Sequence, residues 1–213
     1  MRVHFDEQLR LLSDEMIHMG DLCQEMITGS AEALINGDIA LAKKVPDMVE
    51  ELSRQEREIE SLCMKLLLHQ QPVARDLRTI SSALKMVTDM ERVGHQAADI
   101  AEIITMANFT AGDDTLNIRE MAQAVSQMVS GSIDAFVKQN IKTARQVIAF
   151  DDTVDRHFDN IKTVLINMLT ESGADGQYVL DLLMIAKYFE RIGDHAVNIA
   201  KWVVFSITGS REE

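Results

Sequence analysis

The stretch Met184 to Trp202, MIAKYFERIGDHAVNIAKW, has a second copy at Lys85 to Ile103, KMVTDMERVGHQAADIAEI. Glu91 and Glu190, Arg92 and Arg191, Gly94 and Gly193, Ala97 and Ala196, Ile100 and Ile199, and Ala101 and Ala200 all stand 99 residues apart. So many matches at one spacing imply a duplicated structural unit. Neither copy contains proline, and apolar residues recur at alternating intervals of four and three, which predicts a helix in each. The later seam is Leu182, Ala186, Phe189, Gly193, Ala196, Ala200, Val203; the earlier is Ala83, Val87, Met90, Gly94, Ala97, Ala101, Ile104. Each glycine costs a helix about 1 kcal/mol relative to alanine, so packing is the reason to keep it. The expectation is that a neighbouring backbone comes close there.

Both helices carry a second stripe, Glu190, Asp194 and Asn198 in one and Glu91, His95 and Asp99 in the other. The spacing i, i+4, i+8 lines each set up in one row, turned away from the seam. Two carboxylates at i, i+4 repel by a few tenths of a kcal/mol, a cost that a bound cation converts into attraction. For an isolated pair of acids a solvated face is the ordinary explanation. A row that is repeated becomes a candidate site.

The chain in order predicts six helices. The first runs from about Val3 to Ile35, with Phe5, Leu9, Leu12, Met16, Met19, Cys23, Met26 and Ala33 inward, and Asn36-Gly37 ends it. Asp38 caps the second, which reaches about Gln70 with Leu41, Val45, Val49, Leu52, Ile59, Cys63 and Leu66 inward; Pro46 predicts a kink inside it. The third spans Val73 to about Met106, after the Gln71-Pro72 boundary. The polar break from Asn108 to Asp114 divides the chain. The fourth helix covers Thr115 to Lys138, the fifth Asn140 to Leu169 and the sixth Gln177 to Ile207, with a loop from Glu171 to Gly176. Fifth and second align at an offset of 102, with Val147 on Val45, Val154 on Leu52 and Ile161 on Ile59. Three helices thus occur twice. Short connections imply antiparallel neighbours, and the expectation is an all-α fold of two tandem three-helix bundles, residues 1–110 and 111–213.

Composition agrees with this class. Two prolines, ten glycines and thirteen methionines suit an all-helical protein with an adaptable core. A net charge of −13 without a Lys/Arg stripe argues against nucleic acid and suits cations or basic partners. The N-terminus, MRVHFDEQLR, lacks the apolar stretch of a signal peptide, and no run approaches the roughly 18 apolar residues of a membrane span. A cytoplasmic protein is expected, one that reaches a membrane only through protein partners. Cys23 and Cys63 are read as buried, reduced thiols.

The fifth helix has its own row, Asp151, Asp155 and Asp159, of which Asp151 interrupts an apolar seam (Val147, Val154, Phe158, Ile161, Leu165, Met168). If the fifth and sixth helices are neighbours, Asp151, Asp155, Glu190 and Asp194 face a common groove. Such all-oxygen ligation favours Fe, Mn, Mg or Ca and admits Zn. In the first half the aspartate row corresponds to Val49, Ser53 and Arg57, and the Asp194 position is His95. A weaker site there would use Glu91, His95 and Asp99 with Glu50 or Glu51, and its histidine would tilt it toward Zn or another transition metal. His195, Arg92 and Arg191 are read as flanking or surface-paired side chains.

With these repeats, the chain resembles the PhoU family, the phosphate-uptake regulators of bacteria. The residues that carry the resemblance are Gln71-Pro72-Val73-Ala74-Arg75-Asp76-Leu77-Arg78, Glu91-Arg92-Val93-Gly94, Glu190-Arg191-Ile192-Gly193-Asp194, Asn198-Ile199-Ala200 and Leu41-Ala42-Lys43-Lys44-Val45. The resemblance implies two similar three-helix bundles, often dimeric, with Glu/Asp-x-x-x-Asp motifs that bind metal clusters on the bundle surface. The motif carries over onto Asp151, Asp155, Glu190 and Asp194; in the first half only Glu91 matches it cleanly. The resemblance further implies a non-enzymatic negative regulator that links a phosphate ABC transporter with the sensor histidine kinase of the phosphate-starvation response. Its metal, iron or zinc in the first instance, would stabilise the bundle or shape a docking face.

Two other classes compete. A ferritin-like dimetal enzyme wants inward Glu-x-x-His motifs, but residue 193, three after Glu190, is glycine. A metal-free helical scaffold would keep the seams and leave both rows solvated.

Overall fold

The computed structural model describes residues 2–69, 72–109, 116–170 and 175–211. The boundary expected at 110/111, the polar residues 110–114 and residues 171–174 of the last loop lie outside them, as do Gln70 and Gln71. The described residues form helices without strands: α1 (Arg2–Asn36), α2 (Ile39–Asp47), α3 (Val49–His69), α4 (Ala74–Ala107), α5 (Ile118–Val137), α6 (Ile141–Thr170) and α7 (Gly176–Thr208). These are the six expected helices, with the second divided in two. Pro46 does more than kink it: the helix stops at Met48, whose N–H turns back to Val45 O at 3.1 Å, and α3 starts at the next residue. The fourth helix starts at Ile118 rather than Thr115, because Asn117 takes a left-handed conformation (φ 54°).

The two halves share their turns. At the end of α1, Gly37 has φ 61° and Asp38 N–H bonds Ala33 O at 2.9 Å, while the Asp38 carboxylate caps α2 at Leu41 N–H. This paired bonding closes the orphan carbonyls of a helix end. Exactly 102 residues later, Gln139 (φ 51°) and Asn140 repeat the device: Asn140 N–H bonds Ala135 O at 2.9 Å, and its side chain accepts from Lys142 N–H.

All fourteen seam residues of the repeated helices are buried. The two glycines admit side-chain branches rather than backbone, which corrects the expectation. A Cβ on Gly94 would overlap Leu52 Cδ2 and lie 3.1 Å from Met26 Sδ; one on Gly193 would lie 3.3 Å from Val154 Cγ1. Leu52 and Val154 are the residues paired by the 102 offset, so the same branch-into-glycine contact locks α3 to α4 and α6 to α7.

The helices α4 and α7 also bury a second face. Ile80, Met86, Val93 and Ile100 on α4 and Ile185, Ile192, Ile199 and Val204 on α7 are nearly or wholly inaccessible. These two central helices pack antiparallel against each other: Phe109, just past α4, packs against the tilted ring of Tyr178 near the start of α7 with centroids 5.1 Å apart, and Arg78 near the start of α4 lies beside Gly209 at the end of α7. With α1 packed on α5 as well, the trios share one continuous core. Methionines 16, 19, 26, 86, 90 and 121 are fully enclosed in it. Cys23 and Cys63 are free and buried, and burial pushes both thiols up to about 12.

Candidate functional site

The antiparallel packing of α6 and α7 brings the second-half acids together. Asp151 Oδ1 lies 3.4 Å from where a Gly193 Cβ would stand, and so sits across the interface between Glu190 and Asp194 on α7. Its carboxyl is pushed up to about 6, first by burial and then by the charges of Asp155, Asp194, Glu190 and Asp152. All four predicted ligands are therefore within one electrostatic patch. Asp155 and Asp194 are exposed, Asp151 half-buried, and the Glu190 side chain only 15% exposed.

Glu190 Oε2 is enclosed and receives no directed hydrogen bond; Lys187 Nζ lies against it as an ion pair. Behind the ammonium stands the Phe158 ring, its centroid 5.4 Å from Lys187 Nζ and 5.6 Å from Lys162 Nζ. Asp159, the third member of its row, is taken by Lys162 at 2.6 Å. As the side chains stand, no three His, Cys, Asp or Glu among the described residues converge on one point. What the described residues show there is a cluster of carboxylates with the Lys187 ammonium as counter-ion on Glu190.

The first half solves the same charge problem differently. Glu91 accepts a hydrogen bond from Ser53 at 3.1 Å and lies 3.6 Å from His95 Nε2. Across from it stands Glu56, which the sequence reading missed. Its carboxyl is pushed up to about 7 by burial, by the charges of Glu91 and Glu60 and by a hydrogen bond to Glu91, with Arg57 opposing. At the 102 offset Glu56 aligns with Phe158, which hid it; the row Val49, Ser53, Glu56, Glu60 along α3 would have revealed it. Asp99 is raised by burial and Glu102, while His95 and Arg191 of α7 draw it down, so Asp99 stands between the row and the α4–α7 seam. Glu51 is held by Arg54, which also binds Glu58, and Glu50 is exposed. Of the first-half candidates, Glu91 and His95 stay adjacent and are joined by Glu56.

His195, expected as a flanking surface residue, is instead half-buried. Its Nδ1 donates to Asp89 Oδ1 at 2.9 Å across the α4–α7 interface, with Arg92 3.9 Å from the same oxygen. Asp89 is 7% exposed, so this hydrogen bond replaces the solvation it lost.

Fold and site together define an all-α protein of two repeated helical trios with carboxylate clusters at the outer faces of its hairpins. The family model described as PhoU domain matches twice, over residues 16–104 and 118–203. A phosphate-specific transport system accessory protein PhoU homolog of Clostridium acetobutylicum is 34% identical over 209 residues, covering 97% of this chain and 95% of the relative. One of the same description from Pseudomonas aeruginosa is 31% identical, covering 97% and 86%. The crystal structure of PhoU from P. aeruginosa superposes with a TM-score of 0.89 at 31% identity, over 97% of this chain and 100% of that one. A phosphate transport system regulatory protein PhoU from Streptococcus pneumoniae, 23% identical, shares the fold with a TM-score of 0.88. This chain belongs to the PhoU family.

Proposed function

We propose that this chain is a non-enzymatic negative regulator of phosphate uptake and of phosphate-starvation signalling. It acts in the cytoplasm by contact with a phosphate ABC transporter and a sensor histidine kinase, as a homodimer and without nucleic acid. The observation that carries this reading is the match across nearly the whole chain to relatives described as accessory proteins of phosphate-specific transport. Its surroundings agree: among the described residues no helix is long and apolar enough to cross a membrane, so a link to a transporter runs through protein contact. The two separately matched stretches support residues 1–110 and 111–213 as its units.

In this reading Asp151, Asp155, Glu190 and Asp194 hold a divalent or trivalent metal, iron or zinc first and manganese, magnesium or calcium as alternatives. The ion neutralises the patch and ties α6 to α7, presenting a rigid docking face. Glu91, His95 and Asp99 would form the weaker site. The ferritin-like enzyme loses ground, because the position three after Glu190 is a buried glycine packed on Val154. Deleting the gene tests the regulatory role: phosphate-starvation genes should be derepressed in high phosphate, and normal repression would refute it. Capture from cells should retrieve transporter components. Asp151→Ala with Asp194→Ala should strip bound metal while leaving helicity intact, and unchanged metal content would remove the site.

A further inference from the structure

Two open cavities, of about 430 and 260 Å³, lie between α1 and α5. The repeat relates them. Thr28, Ala31, Glu32 and Ile35, the α1 wall of the larger, become 102 residues later Ser130, Ile133, Asp134 and Val137, the α5 wall of the smaller. Apart from Gln127, the two remaining walls correspond in the same way. The cavities are therefore the two ends of one groove between antiparallel helices, lying across the pseudo-twofold that relates the halves. Their sizes differ because Ile133 covers Gly20, where a Cβ would overlap its Cδ1, whereas the equivalent pair is Ala31 and Ala122. The lips differ in charge. On α1 the exposed Asp14, Asp21, Glu25 and Glu32 stand at i, i+7, i+11 and i+18, a line that follows the groove. On α5 the repeat puts Gln123 and Gln127 in place of Asp21 and Glu25, and Lys138 holds Asp134 at 2.6 Å.

We propose that this groove docks one basic amphipathic helix of a protein partner, with apolar side chains at i and i+11 entering the two cavities and Lys or Arg facing the acidic lip of α1. The length fits: from Ile17 to Ile35 the groove runs about 27 Å at 1.5 Å per residue, the length of a helix of about 18 residues. The cavities are centred about 11 residues apart on α1, close to three helical turns, so a helix laid along the groove turns the same face to both. Charge selects the occupant. A second copy, itself at −13, would press one acid-lined groove against another, whereas a basic helix neutralises the line on α1. The proposal rests on the protein-contact reading above for the existence of a partner, and it uses neither a metal ion nor the acid rows of Glu91 and Glu190.

The test uses the full-length chain and two fluorescein-labelled synthetic helices of Ala, Gln, Lys and Leu, about 20 residues long. Both have the same composition; one carries its leucines at i and i+11, the other at i and i+9, on opposite faces. Fluorescence anisotropy should show the i+11 helix binding about tenfold more tightly or better, since only it buries both leucines. Thr28→Trp and Ser130→Trp, each filling one cavity, should each weaken that binding about tenfold. Asp21→Asn/Glu32→Gln should weaken it about threefold or more and flatten its salt dependence, while Glu102→Gln/Asp152→Asn, which removes as much charge elsewhere, should not. Circular dichroism checks each fold, and Thr28→Arg/Ser130→Arg replaces a tryptophan variant that loses helicity. Absence of binding, equal binding of the two helices, or binding indifferent to the groove substitutions would overturn the proposal, and the regulatory reading would still stand or fall by the deletion strain. A parent dimer that Thr28→Trp dissolves in sedimentation would give the groove to a second copy and overturn it too.

Discussion

The branch-into-glycine contact is the same in both halves but not equally tight, which makes Gly94→Ala and Gly193→Ala a matched pair. At Gly94 the added methyl overlaps Leu52 Cδ2 and stands 3.1 Å from Met26 Sδ, and both neighbours are fully buried, so they can yield only by repacking the core around them. Overpacking of this kind costs about 1–3 kcal/mol, against roughly 1 kcal/mol gained in helix propensity. The net expectation is destabilisation by about 1 kcal/mol. At Gly193 the nearest atoms are Val154 Cγ1 at 3.3 Å, Asp151 Oδ1 at 3.4 Å and Val125 Cγ1 at 3.7 Å. These need yield only slightly, so the propensity gain should cancel or exceed the cost. Equilibrium urea unfolding followed by far-ultraviolet circular dichroism should separate the two by about 1–2 kcal/mol, or some 2–4 °C in Tm per kcal/mol for a chain of this size. The contact is isolated by repeating Gly94→Ala in a Leu52→Ala background, where the clash is gone and the substitution should stabilise, giving a coupling of about 1–3 kcal/mol. If Gly94→Ala destabilises equally with and without Leu52, the reasoning fails.

Glu56→Gln tests proton sharing through pH. The folded-state pKa of about 7 lies above the ordinary 4.5, so ionising Glu56 penalises the fold as pH rises through that window, with the full penalty above 7. In metal-free buffer Glu56→Gln should therefore be more stable than the parent at pH 8, with the advantage gone below about pH 4.5; a constant difference in denaturation midpoint across that range would contradict it. His195→Ala should destabilise by about 1–3 kcal/mol, because Asp89 stays buried without its best donor, and the loss should shrink in an Asp89→Asn background when both are measured in urea. Gln139→Gly should stabilise by up to about 1 kcal/mol, since only glycine adopts the left-handed turn without penalty, read as a rise in Tm.

Helix register is a local property, which is why so much could be read before any coordinates. The seams through Gly94 and Gly193, the ends at Gly37 and Asp38, and the outward rows of Glu91 and Glu190 follow from spacing within one helix and from its duplication. The second faces of α4 and α7 did not follow. Ile80, Val93, Ile185 and Ile192 look like scattered apolar residues until the two helices are laid antiparallel. Likewise, nothing within 106 residues of chain links Asp89 to His195.

The acid site divides along the same line. That Asp151 and Asp155 share one row and Glu190 and Asp194 another follows from helical period alone. That Phe158 backs Lys187, and that Glu56 rather than Asp99 joins Glu91, was decided by the rotation and axial shift of neighbouring helices. Those two quantities come from how side chains such as Leu52 and Val154 interlock with glycines on the facing helix, and the periodicity of a single helix carries no information about them.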